Sequence, residues 1–295
     1  MKYRILGKTG MNISVVGVGT WQFGGEWGKD FTQGEVNDIL DAAQERGINF
    51  IDTAECYGDH LSESLIGKRT SRDRDKWIIA TKFGHHFHNF LERTRHFDPT
   101  DVVRQLDLSL KSLKTDYIDL YQMHSSKDDE FHTEGLWEEL ERQKEKGKIR
   151  HIGLSISGND NIYQTSRATD VGAESIQVVY NRLDRVPEKE VFPSCREQNL
   201  GVLARVPMAS GLLSGKYGKG HVFTGSDVRA TRDKEELERQ IEEVAKINRE
   251  EVPEGVPMAS WALAWCLKDP VVTAVIPGCK NTAQVHSNAD AAELL

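Results

Sequence analysis

The sequence predicts an α/β fold, a single (β/α)8 TIM barrel whose bottom is capped by an N-terminal β-hairpin. Short apolar runs alternate with longer amphipathic segments, and the alternation repeats about eight times. Short buried strands joined by helices form parallel sheets, because each crossover returns the chain to the same end of the sheet. The length of 295 residues also fits one such barrel, which typically needs about 250 residues.

The first element is the hairpin. Residues 3–6 and 11–14 are short strand-like runs, and they flank the sequence Gly-Lys-Thr-Gly at residues 7–10. A glycine-rich turn between two such runs is typical of a β-hairpin. Because it precedes the first barrel unit, we expect it to cover the bottom of the barrel.

The barrel units follow in order along the chain. The strands are expected at residues 14–18, 49–51, 77–80, 117–121, 149–154, 175–179, 201–204 and 271–275. Residues 32–46 form a helix with apolar side chains every three or four positions from Val36 to Ala43, and a second helix opens at Asp98-Pro99. Further helices are expected near residues 131–146, 159–171, 187–199, 234–249 and 281–294.

One long stretch lacks a helix or strand pattern. Residues 210–232 are rich in Gly, Ser and Lys, and a loop of this length in a compact domain is usually a lid or a binding loop. The charged run 234–239 that follows is interpreted as a solvated helix face. No linker or shift in composition divides the chain, so residues 1–295 are expected to form one domain.

Composition excludes several classes of function. The formal net charge of −8 disfavours nonspecific nucleic-acid binding, although a local basic pocket for a small phosphate is compatible with it. No apolar run is long enough for a membrane helix or a signal peptide, so a cytoplasmic protein without a membrane partner is expected. The four cysteines are far apart, and we expect free thiols in a reducing compartment.

Four residues near predicted strand ends form a plausible chemical unit: Asp52, Tyr57, Lys82 and His124. In a barrel the active site lies at the carboxyl ends of the strands. Reducing a carbonyl requires a hydride for carbon and a proton for oxygen, and a free tyrosine with a pKa of about 10 is a weak acid. The ammonium of Lys82 beside Tyr57 would stabilise the phenolate and lower that pKa. Asp52 would keep Lys82 charged and oriented. His124 would donate a hydrogen bond to the carbonyl oxygen.

These residues lie in motifs that resemble the aldo-keto reductase family, including relatives such as the potassium-channel β-subunits. The run 49–58 places Asp52 and Tyr57 five apart, as that family's signature does, and similar segments continue along essentially the whole chain. The other matching segments are 62–68, 80–82, 117–124, 146–155, 211–216 and 276–278, then Gln284 and Asn288.

The resemblance implies an NADP(H)-dependent enzyme that reduces aldehydes or ketones to alcohols. Asp52, Tyr57, Lys82 and His124 would be the catalytic tetrad. Thr20, Trp21, Ser155 and Gln177 would lie near the nicotinamide, and residues 207–216 would cover the pyrophosphate. The cofactor-binding residues implied in full are Thr20, Trp21, Asp52, Ser155, Gln177, Arg205, Pro207, Gly211, Leu212, Ser214, Lys216, Gly278, Lys280, Gln284 and Asn288.

Three positions depart from the family pattern. Ser155 is followed by Ile156 instead of asparagine, which removes one amide contact to the nicotinamide. Arg205 stands where an aromatic residue usually stacks on the nicotinamide, and we expect its guanidinium to lie flat against the ring. Gly278 stands where many relatives have lysine, so Lys280 is expected to contact the 2′-phosphate that distinguishes NADP(H) from NAD(H).

Simpler interpretations exist for several residues. Asp52 alone would be read as a cap of the following turn. No cysteine or carboxylate near the histidine-rich segment 85–88 completes the spacing of a tetrahedral metal site, so the segment is interpreted as a loop at the substrate mouth and no metal site is expected. Cys56 is interpreted as a packed thiol, with a redox-sensitive thiol as the alternative. Trp21, Phe23 and Trp27 would form either core or an apolar wall of the substrate pocket, and the wall is favoured.

The rival function is a cofactor-bound sensor or regulatory subunit with little turnover. It would bind the dinucleotide tightly without reducing a carbonyl, whereas an enzyme would oxidise NADPH with an aldehyde. The natural substrate depends on loop side chains, which the sequence predicts least well. A homo-oligomer is compatible with the sequence, because some members of the family associate.

Overall fold

The structure is a computed structural model that describes all 295 residues. Its strands are β1 (Tyr3–Ile5), β2 (Asn12–Ser14), β3 (Val18–Gly19), β4 (Phe50–Asp52), β5 (Ile78–Phe83), β6 (His85–Asn89), β7 (Glu92–Arg95), β8 (Ile118–His124), β9 (Ile149–Ser155), β10 (Ala173–Val179), β11 (Gly201–Arg205) and β12 (Val272–Val275). Its helices are α1 (Gln33–Glu45), α2 (Leu61–Thr70), α3 (Pro99–Leu113), α4 (Asp128–Phe131), α5 (Leu136–Glu145), α6 (Ile162–Ser166), α7 (Val191–Glu197), α8 (Lys234–Glu250), α9 (Met258–Leu267) and α10 (Thr282–Ala289).

Eight parallel strands form the predicted barrel. Their order is β3-β4-β5-β8-β9-β10-β11-β12, and residues beside the two outer strands pair with each other. Val16 forms a parallel bridge with Val275, Gly19 forms another with Gly278, and the Gly17 amide donates to the Val275 carbonyl at 2.8 Å. The sheet therefore closes on itself, which confirms the (β/α)8 prediction.

The N-terminal hairpin of β1 and β2 covers the amino-terminal end of the barrel, as predicted. Leu6 and Ile13 are fully buried and pack with inward-facing residues of five strands. These residues are Phe50, Ala80, Leu120, Leu203 and Ala274. Gly7 makes this fit sterically feasible: a Cβ on it would lie 2.2 Å from the Gly201 nitrogen, and its φ of +50° favours glycine. The hairpin thus plugs the barrel with apolar side chains.

Two predicted helix starts have the expected caps. Thr32 and Glu35 form a capping box at the start of α1, and the Asp98 carboxylate accepts from the amides of Thr100 and Asp101 ahead of α3. α8 begins at Lys234, and in its first turns Leu237 is buried while its charged neighbours are exposed or half-buried, as predicted for a solvated face.

Several boundaries differ from the prediction. The first barrel strand is Val18–Gly19, and Ser14 belongs to the hairpin strand β2. The helix predicted at 131–146 is α5, which begins only at Leu136 because Gly135 before it has a φ of +75°; the short helix α4 ends at Phe131 and was not predicted. The segments at 159–171, 187–199 and 281–294 contain shorter α-helices with 3-10 turns beside them.

The long stretch at 210–232 contains two 3-10 segments, Ala209–Ser214 and Val228–Thr231. The second, together with Asp227, crosses to the loop after β3, where Asp227 forms a bridge with Trp27. We call residues 227–231 the strap. The histidine-rich segment predicted as a loop is instead the antiparallel hairpin of β6 and β7, named here the lid hairpin. No helix is long and apolar enough to cross a membrane.

Candidate active site

A layer of polar side chains lies inside the barrel, above the apolar plug. Asp52, Lys82 and Gln122 each follow an inward-facing apolar residue by two positions, so the two-residue repeat of a strand directs them to the same interior. Lys82 Nζ donates to Asp52 Oδ1 at 2.7 Å and to the Thr53 carbonyl at 2.8 Å. The amide groups of Gln122 and Gln177 donate to Asp52 Oδ2 at 3.1 and 2.7 Å. Both oxygens of the buried carboxylate are therefore satisfied.

Tyr57 reaches this layer from the loop after β4. Lys82 Nζ lies 3.3 Å from Tyr57 Oη, so three of the four predicted residues are in direct contact. The backbone of Tyr57 packs closely on Gly24, where a Cβ would lie 2.6 Å from the Tyr57 carbonyl carbon. Trp21 stacks on the other side of the Tyr57 ring at 6.0 Å between centroids. Two loops thus hold the phenol against the lysine.

The pKa of Tyr57 differs from the sequence-based expectation. Burial raises it to about 12, and the ammonium of Lys82 opposes this rise without overcoming it. Lys82 therefore acts on the pKa in the predicted direction, but desolvation of the phenolate outweighs its charge, so the pKa of Tyr57 in the free protein lies above that of a free tyrosine. Tyr57 keeps its proton throughout the neutral range.

His124, the fourth predicted residue, lies at the end of β8. Its ring is edge-on to the Tyr57 ring at 6.2 Å, and its Nδ1 lies 3.6 Å from Cys56 Sγ. Burial lowers the His124 pKa well below its usual value and raises that of the Cys56 thiol. In the tautomer in which the protonated thiol donates to Nδ1, the proton of the neutral imidazole lies on Nε2. Nε2 is then available as a hydrogen-bond donor.

One cavity of about 520 Å³ runs from these residues across the carboxyl end of the barrel. Most of the predicted site residues line it. They are Thr20, Trp21, Asp52, Tyr57, His124, Gln177, Arg205, Pro207, Gly211, Ser214, Lys216, Gly278, Lys280, Gln284 and Asn288. Lys82 lies just beneath the cavity floor and reaches it through Tyr57.

Two predicted cofactor residues do not line this cavity. Ser155 is buried at the end of β9, where its Oγ lies 3.4 Å from Gln177 Oε1. Leu212 is buried in a second apolar cluster, together with Leu213 and residues of α8 such as Ile241. Its apolar side chain turns toward that cluster because α8 packs beneath the 3-10 turn. These two side chains support the cavity wall from behind.

Arg205 lies at the end of β11 and lines the cavity beside the polar layer. One guanidinium NH2 donates to the Ile156 carbonyl at 3.3 Å, whereas the buried Nε has no partner within the protein. Burial lowers the pKa of Arg205, with the acidic groups of Tyr57 and Asp52 acting in the opposite direction. A buried donor without a partner that faces a cavity is suited to receive an acceptor from a ligand.

The far end of the cavity is basic. Lys280 Nζ donates to the Trp27 carbonyl at 2.6 Å, and its backbone amide donates to Gln284 Oε1 at 2.7 Å. Lys216 and Arg229 line the same end. At Gly278 a Cβ would lie 1.4 Å from Gln22 Nε2, so any side chain there would displace Gln22. Because the contacted atoms are the flexible end of the Gln22 side chain, this packing alone does not require glycine at position 278.

The structure brings together a cysteine and two histidines that sequence spacing did not associate. Ligand atoms of Cys56, His85 and His124 lie within 4.8 Å of one another. A cysteine therefore does lie next to the histidine-rich segment in the folded chain, because Cys56 comes from the loop after β4. Burial lowers the pKa of His85, and the neighbouring cations Arg93 and Arg95 lower it further and disfavour a positive ion. The absence of a metal stays a prediction.

Several residues that line the cavity belong to loops and were not predicted from the sequence. Arg93 and Leu91 come from the lid hairpin, and Tyr217 comes from the long segment before the strap. Glu26, whose side chain contacts the lid hairpin, was missed as well. Charged and aromatic residues in irregular segments carry no periodic signal, so only the length of segment 210–232 and the histidines at 85–88 pointed to these regions.

A comparison with known families gives one match over most of the chain. The sequence profile described as "Aldo/keto reductase family" matches residues 15–295. The chain is 34% identical to "Uncharacterized oxidoreductase YrpG" of Bacillus subtilis (strain 168), over 100% of this chain and 92% of that protein. It is 33% identical to "Aldo-keto reductase yakc [NADP(+)]" of Schizosaccharomyces pombe, over 85% and 75%. It is 29% identical to "NADH-specific methylglyoxal reductase" of Escherichia coli, over 99% and 93%.

Solved structures give the same result. The "aldo-keto reductase AKR11C1 from Bacillus halodurans (holo form)" superposes with a TM-score of 0.83 at 31% identity, covering 99% of this chain and 91% of that one. The "glycerol dehydrogenase AKR11B4 from Gluconobacter oxydans" gives a TM-score of 0.84 at 28% identity, covering 98% and 89%.

Proposed function

Since this chain belongs to the aldo/keto reductase family of oxidoreductases, which act on carbonyl and alcohol groups, we propose that it reduces small aldehydes or ketones with NADPH and with Tyr57 as the proton donor. The observation that carries the proposal is the 3.3 Å contact between Lys82 Nζ and Tyr57 Oη at the floor of one large cavity. The contact sets a protonated hydroxyl beside a fixed positive charge at the cavity, which supports its role as proton donor to a substrate oxygen.

Each residue of the site has its own role in proton transfer. Tyr57 keeps its proton while the site is free, because its pKa is about 12. As negative charge develops on the carbonyl oxygen, that oxygen becomes basic enough to take the proton, and the Lys82 ammonium stabilises the resulting phenolate. Asp52 and the Thr53 carbonyl hold the ammonium in place. His124 donates from Nε2 to the same oxygen and orients the carbonyl.

The residues along the cavity fit a nicotinamide dinucleotide phosphate. NADPH, when bound, supplies the hydride that passes to the carbonyl carbon. Arg205 and Gln177 lie at the catalytic end, and Lys216 and Lys280 provide cations for phosphate groups at the other end, where Arg229 is ion-paired with Asp227. Relatives are named for NADP(+) in one case and for NADH in another. We assign the 2′-phosphate to Lys280, which supports NADPH as the preferred cofactor.

Turnover separates this proposal from a cofactor-bound sensor. Purified protein should oxidise NADPH with a panel of small aldehydes, monitored by absorbance. Tyr57→Phe should lower kcat/KM by about 10²–10⁴-fold, the usual contribution of a general acid, and leave the Kd for NADPH nearly unchanged. Tight NADPH binding without turnover by the wild-type protein would favour the sensor and contradict the enzyme.

Arg205 sets a second expectation for the same site. We propose that its guanidinium lies flat against the nicotinamide, where its charge disfavours the positively charged oxidised ring relative to the reduced one. Arg205→Tyr should therefore raise the affinity for NADP+ relative to NADPH by several-fold, measured by fluorescence titration. An unchanged ratio of the two Kd values would show that Arg205 does not act on the ring.

A further inference from the structure

Glu26 is a buried carboxylate that joins three parts of the cavity wall. It is 2% exposed. Its Oε2 accepts from Trp21 Nε1 at 2.7 Å and from the Arg93 guanidinium, and its Oε1 accepts from the Leu91 amide at 2.9 Å. Its backbone carbonyl accepts from the Val228 amide at 3.0 Å.

These partners come from both ends of the cavity. Arg93 and Leu91 belong to the lid hairpin, and Arg93 also donates to the Cys56 carbonyl at 3.2 Å, next to Tyr57. Trp21 stacks on the Tyr57 ring. Val228 belongs to the strap. Glu26 is therefore the link between the proposed substrate pocket and the strap.

The strap in turn is fixed to the basic end of the cavity. Asp227 bridges Trp27, whose carbonyl accepts from Lys280 Nζ at 2.6 Å. Arg229 donates to the Ser210 carbonyl at 3.1 Å and to the Tyr217 hydroxyl at 2.9 Å. A ligand that engages the cations of this end therefore acts on the segment that carries Glu26.

Charge makes the link at Glu26 specific. A carboxylate at this depth is stable only when it is paired and hydrogen-bonded, and Arg93 is the cation that donates to it. Glutamine has the same shape but no charge. Its amide NH2 would meet the guanidinium and the indole N–H in one orientation and the Leu91 amide in the other, and all of these are donors. The Glu26→Gln change should therefore loosen the lid hairpin while leaving the polar layer inside the barrel intact.

We propose that Glu26 is a positioning residue that couples the strap to the lid hairpin, so that binding of the dinucleotide forms the wall of the carbonyl pocket. The inference rests on the proposed function. In Glu26→Gln, the KM for an aldehyde should rise about tenfold or more, whereas kcat should change less than about threefold, because Tyr57 and Lys82 keep their contacts. Arg93→Met, which keeps most of the side-chain volume, should give the same split.

A matched control lies at the other end of the barrel. Asp119 is also buried, and it accepts from Arg74 at 2.6 Å, from Arg150 at 3.0 Å and from the Ile79 amide at 3.0 Å. Asp119→Asn removes the same kind of carboxylate without touching the cavity. It should leave the KM for aldehyde unchanged even where it lowers the melting temperature.

Hydrogen exchange tests the coupling without turnover. In the wild-type protein, saturating NADPH should slow amide exchange in both the strap and the lid hairpin. In Glu26→Gln it should slow exchange in the strap alone. Equal slowing of the lid hairpin in both proteins, or no slowing of it in the wild type, would overturn the coupling. Absence of wild-type turnover would reject the proposed function, and the exchange measurement would still decide this inference.

Discussion

The contact between Tyr57 and Lys82 affects the protonation state of the phenol. Sequence analysis predicted their proximity, and the structure places them 3.3 Å apart. The sequence did not predict whether burial or charge has the larger effect on the pKa of Tyr57, because the degree of burial depends on loops such as the one that carries Trp21. Burial has the larger effect on this pKa, so Tyr57 is protonated in the free protein and is not a phenolate. The lysine then acts mainly on the charge that develops during the reaction.

Glu55, next to these residues, gives a prediction on stability. Burial raises its pKa to about 8, and one of its oxygens has no partner within the protein. Between its ordinary pKa of about 4.3 and pH 8, the folded chain keeps a proton that the unfolded chain releases. The free energy of unfolding therefore falls as the pH rises through this window, and the loss is complete above the folded pKa.

Glu55→Gln should reduce the loss of unfolding free energy that accompanies the rise in pH. Between pH 5 and pH 8 the free energy of unfolding of the variant should decrease by roughly 3 kcal/mol less than that of the wild type, measured by urea denaturation. Glu145→Gln, which removes a carboxyl group from the exposed end of α5, serves as the control and should follow the wild-type slope. Parallel slopes for wild type and Glu55→Gln would mean that Glu55 is ionised in the folded state.

Among the helices, those with one apolar face were predictable and the largely buried ones were not, whereas buried strands such as β8 and β12 were predicted. α1 and α3 carry one apolar face and side-chain caps, and both were predicted. α9 has eight buried residues among its ten and no polar face, so it lacks the period by which a helix is recognised. α2 was missed for the same reason, since even Glu63 is buried on it.

The hairpin plug gives a prediction at this scale. Leu6→Ala should lower the free energy of unfolding by about 2–5 kcal/mol, because the side chain fills the closed end of the barrel. The adjacent Ile5 is 55% exposed, and Ile5→Ala should cost less than about 0.5 kcal/mol. Both variants should keep the wild-type kcat/KM below their melting temperatures, since the proposed site is at the opposite end. Equal costs for the two changes would contradict the plug.

For the whole molecule, the catalytic group was predictable and the cavity walls were not. Strand ends of one barrel meet at one rim, so Asp52, Lys82 and His124 could be grouped from the sequence once the strands were recognised. Glu26 and Arg93 meet only because two irregular loops touch, and neither loop has a repeat that predicts its partner. Ser155 and Leu212 were assigned to the cavity by position along the chain, but their side chains pack behind its wall.

Cofactor preference should be measurable as a change in global stability. At about 100 times its Kd, NADPH should stabilise the folded state by about 2.7 kcal/mol and raise the melting temperature by several degrees. The same concentration of NADH should raise it less. Lys280→Met should reduce the NADPH effect and leave the NADH effect, whereas Lys68→Met, on the exposed side of α2, should change neither. Equal shifts for the two cofactors would reject the assignment of Lys280.

The pairing of Val16 with Val275 has a consequence for synthesis on the ribosome. The first barrel strand has its second neighbour in the strand that is translated last among the eight. A nascent chain that has emerged only as far as β11 therefore exposes an unpaired edge at Val16, and its Leu6 and Ile13 have no complete ring of side chains to enter. Chaperones that protect open edges would be needed until the final strand leaves the tunnel.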